Sequence, residues 1–130
     1  MKFTIVVQAA PAASQAAWSA YQFTRSALAA GHGIYRVFFY GDGVYNTNSL
    51  SVPPQDEFDL VKAWNTLLDE HGIDAISCVS SALKRGVLDA GEAERYERSC
   101  ANLSTAATLS GLGQLVDATL ASDRVITFGA

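Results

Sequence analysis

Apolar residues along this chain are concentrated in short runs, which are separated by segments with helical spacing. The runs are rich in β-branched and aromatic residues. Runs of this kind are typical of strands that are buried on both faces of a parallel sheet. We predict a fifth, short strand near Ala106–Leu109 in addition to four clear ones. The four clear strands are Phe3–Val7, Ile34–Tyr40, Asp74–Val79 and Arg124–Phe128.

Between these strands, apolar residues recur at the spacing of one helix face. Ser14 is a suitable N-cap for the first helix, and Gly31 is a suitable left-handed stop for it. The acidic residues near Asp56 favour the start of the second helix, where the helix dipole stabilises anions. The predicted helices are Ser14 to Ala30, Gln55 to Glu70, Ser80 to Arg85, Asp89 to Arg98, and a last one with the apolar stripe Leu112, Leu115, Val116, Thr119 and Leu120.

Strands alternate with helices along the whole chain, and the sequence contains no internal repeat or linker. This alternation predicts an α/β fold, with a mainly parallel sheet of four to five strands and helices on both faces. A length of 130 residues fits one domain, so we expect residues 1–130 to form a single domain.

Charge and hydropathy exclude several classes of function. The net charge is −4, with nine Lys and Arg residues and no basic stripe, so we expect no direct contact with nucleic acid. No apolar run reaches the ~20 residues that a membrane span needs. The N-terminal run is better explained as a strand than as an export signal, so we expect a cytoplasmic protein. In that reducing compartment, Cys78 and Cys100 would be free thiols.

In open α/β sheets, ligands bind beyond the carboxyl ends of the strands. The loop after the first strand has no dinucleotide fingerprint, the chain has no phosphate-binding P-loop, and no His and Cys residues have the spacing of metal ligands. We interpret His32 and His71 as capping or surface residues. Gly111 and Gly113 are interpreted as a tight helix start, and Cys100 as incidental.

Cys78 stands out because it lies at the end of a predicted strand, just before a helix begins. Backbone amides of Val79 to Ala82 would point toward its sulfur, and Lys84 and Arg85 would add positive potential. Such an environment lowers the pKa of a thiol and increases the thiolate fraction. The alternative is that Cys78 is a small apolar core residue, as buried cysteines usually are. Placement alone favours this alternative.

Several segments resemble the DsrE and TusD proteins. This resemblance favours a reactive Cys78 over an apolar core residue. The matching segments are Val37–Tyr40, Gly43–Asn46, Asp56–Val61 with Trp64, Cys78–Val79 with Ala82–Val87, Ser110–Leu115 and Asp123–Val125. They follow the family order over nearly the whole chain. One departure is that Ser77, Ser80 and Ser81 flank Cys78 where relatives often have small apolar residues.

The resemblance implies a flavodoxin-like three-layer sandwich that needs neither flavin nor metal. It implies a sulfurtransferase subunit in which Cys78 carries persulfide sulfur, supported by Val79, Ser80, Ser81, Lys84 and Arg85. Its partners would be two related small subunits (TusB/TusC-like or DsrH/DsrF-like) in a heterohexamer, together with upstream and downstream sulfur-carrier proteins. The expected role is 2-thiolation of the tRNA wobble uridine. The alternatives are a DsrE-type role in dissimilatory sulfur oxidation and a non-catalytic scaffold.

Overall fold

Every pair of neighbouring strands in the computed structural model is parallel, and together the strands form one five-stranded sheet. The structure describes residues 1–129. The strands are β1 (Lys2–Val7), β2 (Gly33–Phe39), β3 (Asp74–Cys78), β4 (Ala107–Ser110) and β5 (Arg124–Phe128). Their spatial order is β4-β3-β2-β1-β5. The predicted parallel sheet is therefore confirmed, and β4 is the short strand expected near Ala106–Leu109.

Five α-helices connect the strands, and a 3-10 helix follows β2. None of the helices within residues 1–129 combines the length and the apolar character that crossing a bilayer requires. The helices are α1 (Gln15–Ala29), α2 (Leu60–Glu70), α3 (Val79–Lys84), α4 (Ala90–Arg95) and α5 (Gly113–Ala121), and the 3-10 helix is Gly41–Thr47.

The two faces of the sheet are covered unequally. On one face, α1 and α2 pack on the main core, in which Trp64 of α2 lies edge-on to Phe39 of β2. On the other face, a small cluster forms around Phe38 and Ile76, and Leu115 of α5 packs against it. The Thr4 hydroxyl of β1 also donates to the Ala118 carbonyl of α5 at 3.4 Å. These layers confirm the predicted three-layer α/β sandwich.

Local signals correctly placed the first helix. The Ser14 hydroxyl accepts the Ala16 amide at 3.0 Å, as an N-cap does. Gly31 has a φ of +88°, and the His32 amide donates to the Ala27 carbonyl at 2.9 Å. This is the left-handed helix end that the sequence predicts.

The predicted start of the second helix at Gln55 is wrong, because α2 begins at Leu60. The Glu57 amide donates to the Pro54 carbonyl at 3.0 Å, so these residues form a turn. The Asp59 carboxylate then accepts the Lys62 amide at 3.1 Å and caps α2. Asp56 and Glu57 consequently precede the helix and do not lie in its first turn.

The predicted end of the fourth helix at Arg98 is also wrong, because α4 ends at Arg95. Asp89 caps the helix through the Glu92 amide, as its spacing predicts. Glu97 has a φ of +54°, and the Arg98 amide donates to the Ala93 carbonyl at 2.8 Å. The left-handed conformation of Glu97 ends the helix before Arg98. Glu94 and Arg98 therefore cannot pair on one face of a continuous helix.

The apolar stripe of the last helix faces in two directions. Leu115 is half-buried toward the sheet, and Ala118 is fully buried. Leu112, Val116 and Leu120 are 49%, 60% and 83% exposed. Only part of the stripe therefore faces the core, because Leu115 and Ala118 are turned toward the sheet while the other apolar residues of the stripe are exposed.

Candidate active site around Cys78

Cys78 is the last residue of β3, and α3 begins at the next residue. Its backbone, with a φ of −57° and a ψ of 121°, forms the N-cap of α3. In the sheet register it lies opposite Ser110, the last residue of β4. The thiol is therefore at the carboxyl edge of the sheet, where α/β folds bind their ligands.

The Cys78 side chain is enclosed by apolar neighbours. Cys78 is 2% exposed and packs with the buried Phe38 and Ile76. Tyr40 and Leu115, which are only partly buried, pack against the same cluster. The sulfur is thus shielded from bulk water, and the two half-buried side chains form the outer part of the shield.

Hydrogen-bond donors from the first turn of α3 approach the sulfur. The Ser80 hydroxyl lies 3.6 Å from Sγ, and its residue is exposed. The thiol makes no regular N-cap hydrogen bond, which is expected because neutral sulfur is a weak acceptor. A thiolate attracts donors more strongly, so the amides and hydroxyls of Ser80 and Ser81 act mainly on the charged form.

Two opposing effects act on the pKa of the Cys78 thiol. Burial is the largest single effect and raises the pKa. Hydrogen bonds from the hydroxyl and amide of Ser81, followed by those of Ser80, lower it. Together they outweigh burial, so the pKa of Cys78 lies below its ordinary value. The thiolate fraction at neutral pH is increased accordingly.

The loop after β2 orients the Ser81 hydroxyl. The Gly41 amide donates to Ser81 Oγ at 3.1 Å, which leaves the hydroxyl proton free to point toward the sulfur. Arg85 holds the same loop, because its Nε donates to Asp42 at 2.8 Å and its guanidinium reaches the Ser81 carbonyl at 3.1 Å. Hydrogen bonds therefore join the loop after β2 to α3 and its C-cap Arg85, beside Cys78.

The two predicted cations do not supply the main stabilisation of the thiolate. Arg85 forms its ion pair with Asp42, while Lys84 is exposed on α3. The serines are the leading causes of the lowered pKa of Cys78. Val79 is half-buried at the start of α3. The structure thus brings Ser80 and Ser81 to the sulfur and assigns Arg85 to the adjoining loop.

The other candidates from the sequence lie outside this site. His32 is exposed with its ring against the N-terminal amine, and His71 is the C-cap of α2, so both are terminal or surface residues as predicted. Gly113 begins α5. Cys100 is a free, exposed cysteine. Residues 1–129 contain no group of three His, Cys, Asp or Glu side chains that could hold a metal ion.

The sequence did not reveal Tyr40 and Leu115 as neighbours of Cys78. A partial signal was present, because Phe38, Tyr40, Ile76 and Cys78 alternate along two strands and should share one face. Two concave surfaces of about 390 and 510 Å³, which share Ser51, Asp59 and Val61, are not lined by Cys78. These concave surfaces therefore do not mark the thiol.

Known proteins similar to this chain share its length and fold. The model of the DsrE/DsrF-like family matches residues 1–128. The chain is 50% identical to the "Sulfurtransferase TusD homolog" of Pseudomonas aeruginosa, covering 99% of this chain and 98% of that protein. It is 44% identical to the "Putative sulfurtransferase DsrE" of Allochromatium vinosum, covering 99% of both. The crystal structure of the ychN protein from E. coli has a TM-score of 0.79 at 19% identity, over 98% of this chain and 99% of that one, which shows the shared fold.

Removing the Ser81 hydroxyl should raise the pKa of Cys78. In a Cys100→Ser background, we expect Ser81→Ala to move the midpoint of the pH–alkylation curve upward, because the leading stabiliser of the thiolate is lost. The rate of iodoacetamide reaction measured between pH 5 and 10 gives this midpoint. Ser80→Ala is the matched control and should shift it less. Equal midpoints in Ser81→Ala and the parent would contradict the assignment.

Proposed function

Because this chain belongs to the DsrE/DsrF-like family, we propose that it is a sulfurtransferase subunit in which Cys78 accepts persulfide sulfur and passes it on. The observation that carries the proposal is the position of Cys78 at the junction of β3 and α3, with a pKa below that of an ordinary thiol. A thiolate is the form of cysteine that attacks sulfur. The relatives named as sulfurtransferases support the same chemistry.

The transfer requires only thiol–disulfide exchange. The Cys78 thiolate attacks the terminal sulfur of a donor persulfide, a new S–S bond forms, and the donor S–S bond breaks. The donor leaves as a thiolate, and Cys78 becomes a persulfide. An acceptor thiolate then attacks the terminal sulfur of that persulfide and releases the Cys78 thiolate. Neither step consumes an oxidant, a metal or an organic cofactor.

The donors beside the sulfur suit both steps. Ser80 and Ser81 stabilise the thiolate that attacks in the first step and leaves in the second. A leaving thiol of lower pKa departs faster, so the same hydrogen bonds assist the release of sulfur. The apolar neighbours Phe38 and Ile76 limit contact between the persulfide and other thiols in solution.

Incubation with a persulfide donor should add one sulfur atom to Cys78. We expect intact-protein mass spectrometry to show this adduct in the parent chain and in Cys100→Ser, and peptide mapping to locate it at Cys78. The reason is that Cys78 has donors that stabilise its thiolate. Cys78→Ser should lose the adduct.

An adduct of equal yield in Cys78→Ser would refute the assignment of Cys78. If Cys78 remains unmodified while the chain still assembles with partner subunits, the scaffold role is favoured instead. Addition of an acceptor thiol completes the measurement, because a true carrier returns to its original mass.

We further propose that the relayed sulfur serves 2-thiolation of the tRNA wobble uridine. Support comes from the resemblance to TusD, which includes 50% identity to the TusD homolog of P. aeruginosa. The protein itself would contact sulfur carriers and not tRNA, in keeping with its net charge of −4. The reducing cytoplasm, where Cys78 and Cys100 stay as free thiols, is the proposed compartment.

Deletion of the gene should remove 2-thiouridine from tRNA. Nucleoside mass spectrometry of digested tRNA measures this loss, and the parent gene but not Cys78→Ser should restore the nucleoside. Unchanged 2-thiouridine together with defective sulfur oxidation would favour the DsrE-type role, which the 44% identity to the A. vinosum protein supports.

The proposed assembly is a heterohexamer with two related small subunits. Exposed Leu112, Val116 and Leu120 form an apolar surface that subunit contacts would remove from water. We expect the co-expressed subunits to purify together and to give the mass of six chains by native mass spectrometry. A chain that stays monomeric in the presence of both subunits would contradict this assembly.

A further inference from the structure

Cys78 is too buried in this structure to contact the sulfur of a donor persulfide. The side chains that cover Cys78 therefore determine whether another molecule can reach its sulfur. With 2% of its surface exposed, the residue offers almost no area to a second sulfur atom. Two of the side chains packed around it, Phe38 and Ile76, are fixed within the sheet. The less firmly enclosed neighbours are the half-buried Tyr40 and Leu115 and the exposed Ser80 beside the sulfur.

Of these neighbours, Leu115 is on the element with the weakest attachment. Tyr40 continues β2, and its amide is bonded to the Val7 carbonyl at 2.9 Å. Ser80 belongs to the helix that begins at Cys78 itself. By contrast, α5 buries only Ala118 completely among its nine residues. Elements with few buried apolar contacts open locally at the lowest cost in free energy.

Arg36 on β2 fastens α5 at the two positions that flank Leu115. Its guanidinium donates to the Gln114 carbonyl at 2.7 Å and to the Asp117 carboxylate at 3.1 Å. The same side chain, 10% exposed, is held from the sheet by Asp74 of β3 at 2.6 Å. Charge-assisted hydrogen bonds of this kind are stronger than neutral ones. One buried cation therefore ties the helix that carries Leu115 to two strands.

Tyr35 strengthens the same attachment. Its hydroxyl donates to Asp117 at 2.8 Å, and its ring lies 5.1 Å from the Arg36 guanidinium. The pKa of Asp117 is lowered, first by the Tyr35 hydroxyl and then by Arg36, so the carboxylate stays charged at neutral pH. The attachment is thus intact under the conditions in which a Cys78 thiolate would react.

We propose that Arg36 is a positioning residue that sets access to Cys78 by holding α5, and with it Leu115, over the sulfur. The access claim concerns Cys78 whatever it carries, whereas its purpose in sulfur transfer rests on the proposed function. Release of Arg36 from Gln114 and Asp117 lets the first half of α5 move outward. That movement uncovers the sulfur without disturbing Ser80 and Ser81.

The test is the alkylation rate of Cys78 in the full chain with Cys100→Ser. A buried thiol reacts in proportion to the fraction of molecules in which it is open. Arg36→Gln should accelerate the reaction roughly 10-fold or more, because hydrogen bonds to a charged group are lost. The midpoint of the pH–rate curve should not rise, since the serines remain and reduced burial acts to lower the pKa of Cys78. Arg36→Lys keeps the charge without the planar guanidinium, so its alkylation rate should lie between those of the parent and Arg36→Gln.

Three controls separate local opening from loss of stability. Arg95→Gln makes the same chemical change at a surface ion pair on α4 and should leave the rate unchanged. Leu115→Ala should also accelerate alkylation, because it removes part of the cover directly. Asp117→Asn should accelerate it less than Arg36→Gln, and the two changes together should be non-additive because they break one contact.

The dependence of the alkylation rate on urea, measured at low urea concentrations, distinguishes local opening from global unfolding. Local opening exposes little surface, so the accelerated rate should be nearly independent of urea, whereas global unfolding depends on it steeply. A steep dependence in Arg36→Gln, or an alkylation rate in Arg36→Gln equal to that of the parent, would overturn the proposal. If alkylation accelerates but Cys78 never acquires sulfur, access control stands and the proposed function fails.

Discussion

The handedness of the crossovers determines how Cys78 is covered. Connections between parallel strands are right-handed, so crossovers that advance in the same direction place their helices on the same face. The connections from β1 through β3 advance in one direction, and α1 and α2 accordingly share a face. Only the connection from β4 to β5 returns across the sheet, so α5 lies on the opposite face. Cys78 lies on that face together with Phe38 and Ile76, and Leu115 of α5 packs against this cluster.

Burial disfavours the reactive thiolate form of Cys78, and hydrogen-bond donors in the first turn of α3 counteract this effect. Enclosure alone would keep a thiol protonated, because a low dielectric disfavours the charged form. Ser80 and Ser81 supply the donors that bulk water would otherwise provide, and the Gly41 amide donates to the Ser81 hydroxyl. A purely structural core cysteine needs no such donors. Their presence is the physical reason to prefer a reactive role for Cys78 over that of an apolar filler.

The sequence predicts features that depend on local signals. Ser14 and Gly31 bound α1, and the junction of a strand and a helix places Cys78 at the carboxyl edge. The start of α2 and the end of α4 were missed, because a turn at Pro54 and the left-handed Glu97 override the helical pattern. The surroundings of Cys78 depend on strand order, which no local signal carries. Arg36 was not predicted as part of the site, because its partners on β3 and α5 lie 38 to 81 residues away.

The site divides two requirements of a sulfur carrier between different elements. Hydrogen bonds that lower the pKa of Cys78 come from α3, whose Ser81 hydroxyl contacts the loop after β2, whereas in our proposal access depends on α5 and its attachment to Arg36. Because no hydrogen-bond donor to the sulfur comes from α5, that helix can move without removing the stabilisation of the thiolate. A persulfide on Cys78 would then be stabilised in both the covered and the open arrangement, while contact with other thiols is restricted to the open one. In the proposed carrier, a partner that displaces α5 would therefore control when sulfur leaves, while Ser80 and Ser81 stay beside Cys78.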